Sequence, residues 1–304
     1  MCGIGGIFTA NNNSEVLPQL EALFSGLSDR GRHACGFAFR WNNSDSDIVW
    51  KNAISSVEAV SQKIMTNKIG SNLLYALLHT RYTTQGSTAN NGNNHPIVSH
   101  DMIVTHNGVI NNDDLIFRDL QTTRLHQVDT ECINALLRLE STRDMIGSIQ
   151  GSASVAWVDT TQNQQIVNLI TNGRNPLVIA RTVEGHVVWA SNLYHIEDAG
   201  FELRDSFNAI PFKHYQISQG SDEPMIQSKF VSEQRTQPRV LFRDSHAAAW
   251  GDTKPASKGF RPKSKTNGCK PPSKAQKGKK FIQAGYVYDE DLKCWRKAKI
   301  TDWS

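Results

Sequence analysis

Residues 1–8, MCGIGGIF, put a cysteine second in the chain and run from it directly into a short apolar stretch. The segment 3–9, GIGGIFT, reads as a buried strand that begins almost at the N-terminus. Cysteine is a small second residue, so aminopeptidase removal of Met1 is expected, leaving Cys2 with a thiol and a free α-amine on one residue. An α-amine titrates at about 7.7–8.0 and can accept the thiol proton where a lysine could not. Nucleophile and base are then supplied together.

Downstream of this octapeptide the apolar spacing defines the next elements. Residues 14–27, SEVLPQLEALFSGL, carry apolar positions at helical spacing behind Ser14, a residue able to cap. The runs 72–79 (NLLYALLH) and 102–106 (MIVTH) read as strands, separated by the polar loop TTQGSTANNGNNHPIVSHD at 83–101. Residues 129–140, DTECINALLRLE, form an amphipathic helix pattern with Asp129 at its cap position, and the NG pair at 107–108 reads as a turn after a strand. Strand patterns recur at SASVAWVDT, QQIVNLITN, PLVIART and HVVWASN, between 152 and 192. The order predicts an α/β (α+β) domain of mostly antiparallel sheets over residues 2–235.

The chain has 304 residues, 38% hydrophobic and 20% charged, enough for a sizeable core and too polar for a membrane protein. No run approaches the roughly 20 apolar residues that span a bilayer, and the N-terminus lacks the basic start of a signal peptide. Five cysteines without a CxxC pair fit a reducing compartment, so a cytoplasmic protein is expected. The net charge of +4 is uneven. Residues 253–280 hold nine Lys and one Arg with no acid; without those ten, the remaining 23 basic residues face 29 acidic ones, a body of about −6. With four Pro and three Gly, that segment reads as part of a disordered linker over 236–280. Residues 281–304 regain aromatics but are too short for a core of their own, and read as a docking peptide or a segment packed back on the body.

Four clusters, MCGIGGIF at 1–8, DRGRHACGFAF at 29–39, HTRYTTQG at 79–86 and HNGVINN at 106–112, together resemble the glutaminase domain of class II glutamine amidotransferases, the N-terminal-nucleophile family. NHP at 94–96, VDTE at 128–131, and NGRNPLVIA with WASN at 172–192 extend the resemblance in the same order, so that it covers about residues 2–210. It implies a four-layer αββα sandwich with Cys2 as nucleophile. By resemblance, Asn107 and Gly108 are the oxyanion donors, one through its side-chain amide and the other through its backbone N–H. Arg81 pairs with the substrate α-carboxylate, which suits its planar fork, and Asp129 pairs with the substrate ammonium. Thr84 lines the substrate site, and Arg30–Gly31 shapes the pocket, with Gly31 expected where backbone must pass close to Cys2. The plain alternatives are a surface salt bridge for Arg81 and simple helix capping for Asp129. His79, His95 and His106 fall in structural positions of the motif and lack metal-ligand spacing, and Cys35 and Cys132 read as core thiols.

The implied reaction is hydrolysis of L-glutamine to glutamate and ammonia through a γ-glutamyl thioester on Cys2, with no cofactor and no metal. Many relatives read HTRWATHG; here Tyr82, Thr83, Thr84 and Gln85 follow Arg81, so the loop over the substrate is shaped differently. After residue 235 there is no SGGxDS loop, no P-loop and no sugar-isomerase-sized region, and the expected partner is a separate ammonia-accepting synthetase. Three further readings stand beside this one. They are a γ-glutamyl amide or peptide hydrolase of the same fold, a catalytically silent binding module, and weak, salt-sensitive nucleic-acid contact through 253–280.

Overall fold

The computed structural model describes residues 1–10, 16–69, 72–162 and 165–231, together with the backbone of 282–283, 286–289 and 294–297. The basic segment 253–280 and its expected disorder lie outside the described residues, as does Ser14.

Strands β1 (Gly3–Phe8), β2 (Ala34–Trp41), β3 (Ile48–Asn52) and β4 (Leu73–Arg81) come first, followed by β5 (Ile97–Ser99), β6 (Met102–Ile110), β7 (Gly151–Asp159) and β8 (Ile166–Thr171). Then come β9 (Val178–Thr182), β10 (Val187–Ala190), β11 (Leu203–Asn208), β12 (Lys213–Ser218) and β13 (Met225–Phe230). The backbone of β14 (Ile282–Gln283), β15 (Tyr286–Asp289) and β16 (Cys294–Lys297) completes the set. One sheet runs β11-β9-β10-β1-β4-β2-β3-β16-β15-β14 and the other β13-β12-β8-β7-β6-β5. Every described pairing is antiparallel.

Among the described residues, seven α-helices flank the sheets: α1 (Leu17–Gly26), α2 (Ser56–Ser61), α3 (Ile64–Ile69), α4 (Asp113–Asp119), α5 (Glu131–Leu139), α6 (Thr142–Ser148) and α7 (Leu193–Asp198). Strand alternation assigns the layers. On β1, Ile4 and Phe8 point between the sheets, packing with Leu77, Ile103, Leu169 and Trp189. Ile7 points the other way, to Leu20, Phe24, Met65 and Ile196 from α1, α3 and α7. Val104, Val155 and Ile170 on the outer face of the second sheet meet Ile133, Leu136 and Met145 from α5 and α6. The result is the expected αββα sandwich, with a third core between the sheets.

Several boundaries differ from expectation. Helix α1 starts at Leu17 with proline in its first turn and no side-chain cap; proline's fixed φ pre-forms that turn and needs no N–H there. Strand β6 does not end at His106. It continues to Ile110 because β7 pairs with it along its whole length, from Met102↔Asp159 to Ile110↔Gly151. The expected turn at Asn107–Gly108 is therefore strand, its propensity overridden by a full-length partner. The C-terminal segment adds strands to the first sheet, with β16 pairing against β3 at Trp295↔Val49 and Arg296↔Ile48.

Candidate active site

The register of β1 against β4 pairs Gly3 with Thr80, so the next step outward sets Cys2 opposite Arg81 at the sheet's end. Across the gap, His79 Nε2 donates to the His106 carbonyl at 3.0 Å and ties the end of β4 to β6. Asn107 follows His106. Alternation along β6 sends its side chain to the same face as Ile103, between the sheets and toward β4. Three segments far apart in sequence thus converge on one end of the sandwich.

Cys2 is half-buried, and its Sγ lies 3.6 Å from the Tyr82 carbonyl. Burial raises the thiol's pKa, the Tyr82 contact and the N-terminal ammonium lower it, and the charges of Asp129 and Arg81 are both felt there. Arg30 Nε donates to the Cys2 carbonyl at 3.0 Å. With the Asn192 amide turned to satisfy its neighbours, its oxygen accepts from Arg30 at 3.0 Å. Asp29, adjacent to Arg30, accepts from Tyr194 Oη at 2.5 Å and lies 3.0 Å from His195 Nε2. The Cys2 backbone is thereby fastened to the start of α7. Asn192 ends the WASN motif, but its contact with Arg30 is invisible in sequence.

Arg81 is buried, and the surface salt-bridge alternative fails. Its guanidinium donates to Asn94 Oδ1 at 2.7 Å, to the Gly86 carbonyl at 2.9 Å and to the Gln85 carbonyl. These bonds fold the 82–86 loop back over the arginine. Thr84 lies on the exposed outer part of that loop, and Gln85 Nε2 reaches Asp113 on α4 at 3.4 Å. Gly31 is required for a different close approach than expected: a β-carbon there would lie 2.6 Å from the Tyr82 nitrogen, against the Arg81–Tyr82 peptide rather than against Cys2.

Asp129 is buried, and its Oδ2 accepts the Ile110 N–H at 2.7 Å. It does not cap α5, whose cap residue is Thr130, and the Thr130 hydroxyl makes no capping bond to the helix. The carboxylate is turned instead toward the end of β6. Glu131 Oε2 takes up the His126 N–H at 2.6 Å, holding the preceding loop.

Three neutral histidines support this arrangement. Carbonyls only accept, so the bonds of His79 Nε2 to His106 O and of His106 Nε2 to Ser152 O, at 3.0 and 3.2 Å, put the protons on those nitrogens. His106 Nδ1 then accepts the Thr130 hydroxyl at 3.0 Å, and that oxygen accepts from His95 Nε2 at 2.8 Å. His79 and His95 stack with ring centroids 4.0 Å apart. Burial is the main cause that lowers all three pKa values, His79 to about 3. These rings serve as struts; among the described residues no group of three or more His, Cys, Asp or Glu is placed to hold a metal. Cys35 and Cys132 are buried core thiols, both pushed up by desolvation.

His79 Nδ1 and His95 Nδ1 each lack a partner, and the Asn107 amide goes further. It is fully buried, and both its nitrogen and its oxygen lack a partner; no other described side chain has two such atoms. Its backbone carbonyl is held by Asn175 Nδ2 at 2.8 Å. The geometry thus joins a thiol at the chain's start, a buried cation, a buried carboxylate and an unpaired amide donor.

A sandwich of two antiparallel sheets between helical layers, opening on a cysteine at the head of a central strand, is the N-terminal-nucleophile hydrolase architecture. Residues 79–198 match the family model described as glutamine amidotransferase domain. Over that stretch the chain is similar to glutamine amidotransferase domains. Glutamine–fructose-6-phosphate aminotransferase (isomerizing) of Acinetobacter baylyi is 27% identical over 191 residues, 59% of this chain and 29% of that protein. The Bacillus thuringiensis enzyme of the same name is 25% identical over 248 residues, 77% of this chain and 40% of its own. The chain therefore spans well under half the length of these curated relatives. Glutamine phosphoribosylpyrophosphate amidotransferase from B. subtilis superposes with a TM-score of 0.60 at 17% identity, over 76% of this chain and 49% of that one. No described helix is long and apolar enough to cross a membrane.

Proposed function

We propose that the domain hydrolyses L-glutamine to glutamate and ammonia through a γ-glutamyl thioester on Cys2, once Met1 is removed. The observation that carries this is the unpaired, buried Asn107 amide on the face toward β4. A buried donor without a partner is poised for a charge that develops during reaction, and one such donor is typically worth about 3–4 kcal/mol in the transition state. Arg81 holds the substrate α-carboxylate, exchanging part of its contact with the Gln85 and Gly86 carbonyls for it. Asp129 holds the α-ammonium. The Cys2 amine takes the thiol proton and returns it to the departing ammonia. Asn107 and the Gly108 N–H collect the charge on the former carbonyl oxygen, and water then cleaves the thioester. Arg30 acts on the Cys2 carbonyl and sets the direction of its amine, while Gly31 and Thr84 shape the approach.

The proposed fate of the ammonia is transfer to a separate acceptor synthetase. The three described cysteines are free thiols, which fits a reducing, cytoplasmic setting. Intact mass before and after 6-diazo-5-oxo-L-norleucine tests the proposal. Loss of Met1 and one adduct on Cys2, absent in Cys2→Ala, are expected. A processed protein that takes no adduct would remove glutamine as the substrate.

A further inference from the structure

We infer that Lys51, on β3, is a positioning residue for Arg81, acting by clamping the 92–96 backbone that presents Asn94. This rests on the glutamine-binding role proposed for Arg81. Lys51 is a buried amine, and no described carboxylate lies within ion-pair distance of it. Its Nζ donates instead to the carbonyls of Asn94 at 2.7 Å, Pro96 at 2.9 Å and Gly92 at 3.5 Å. The three donors of an ammonium thus meet three carbonyls of one loop. The Lys51 carbonyl in turn accepts from Asn91 Nδ2 at 2.8 Å, fastening the loop from both ends of the residue.

That loop supplies one of the bonds that hold Arg81, beside those of the Gln85 and Gly86 carbonyls. Asn94 Oδ1 accepts from the guanidinium at 2.7 Å, and Asn94 Nδ2 donates to Thr88 O at 2.9 Å and Asn91 Oδ1 at 3.1 Å. Its neighbour His95 stacks on His79. The loop can lie so low on the sheet because Gly36, paired with Lys51, has no β-carbon; one there would collide with the His95 carbonyl. Burying an amine without a counter-ion is unfavourable, and burial with the Arg81 charge lowers Lys51 to about 7. A methionine would fill the same space without that penalty but would release the three carbonyls. The amine's retention is therefore accounted for by what the loop carries.

Kinetics and hydrogen exchange together test the clamp. In Lys51→Met, KM for glutamine should rise about tenfold or more while kcat changes less than about threefold, the signature of lost substrate positioning. Backbone amides in 86–94 should exchange faster than in wild type. Asn94→Ala should raise KM similarly, and the double variant should be no worse than the worse single one. Lys51→Gln keeps amide donors for the carbonyls and should fall between, and it serves also if Lys51→Met does not fold. A lowered Tm with unchanged KM and unchanged loop exchange would reduce Lys51 to a structural residue and overturn the inference. Absence of turnover in wild type would refute the glutamine reading instead, and the exchange data would still decide the clamp.

Discussion

Withdrawing the Asn107 amide from water with neither end paired costs about 1–3 kcal/mol. A site that stores such an imbalance in one side chain should lose activity and little stability when it is removed. Asn107→Ala is expected to lower glutaminase kcat roughly 100–1000-fold. Its unfolding free energy should stay within about 1 kcal/mol of wild type, because relief of the unpaired amide offsets the small void left behind. A loss of several kcal/mol with kcat intact would mean the amide is structural. Asp129 illustrates the opposite case: its sequence position suggests a cap, yet its carboxylate binds the Ile110 N–H and contributes charge to the thiol's surroundings.

Strand β6 carries the proposed oxyanion donors, and β7 holds it straight through Asn107 and Gly108. Gly108 is the position where this pairing is tightest. A β-carbon there would collide with the Ser152 carbonyl and lie 2.5 Å from His106 Nε2. Gly108→Ala should therefore destabilise by about 1–3 kcal/mol and abolish turnover, since the strands must part where the donors sit. Gly147, inside α6, has nothing within 4 Å of such a β-carbon. There alanine should stabilise by about 0.4–1 kcal/mol and leave kcat alone. Urea unfolding of the two variants beside wild type checks the contrast, and equal effects would refute it. Elements with strong local patterns, such as β1, β4 and α5, are legible in the sequence. The end of β6 is not, because Asn-Gly is a strong turn signal that only pairing with a distant strand overrides.

Across the whole molecule, acid sensitivity follows from buried histidines. Burial holds His79 at about 3 and His126 and His214 at about 4, against an ordinary value near 6.5. Between those values the unfolded chain binds more protons than the folded one, so stability falls as pH drops below about 6.5 and this loss ends below the folded values. Each histidine contributes a slope of up to about 1.4 kcal/mol per pH unit in that window. The urea midpoint should fall steeply from pH 7 to pH 5, and His214→Gln should flatten the fall without touching the site. A midpoint constant across that range would contradict the neutral assignment of these rings. His214 lies on the outer face of the second sheet, stacked on Trp157 and bonded to Asn168, away from Cys2.

The sequence by itself determined the αββα class, through the motifs that carry the family resemblance, together with a candidate nucleophile and the set of polar residues to look for. Those depend on local periodicity and on motifs a few residues long. Only the tertiary structure decided which face Asn107 presents, that Arg81 is buried under its own loop, and that Lys51 clamps the separate 92–96 segment whose Asn94 bonds the guanidinium. Each of these is a contact between segments distant in sequence, as between His79 and His106 or Lys51 and Asn94. Hydrogen-bond geometry of that kind is set by how two sheets pack, and neither spacing nor composition encodes it residue by residue.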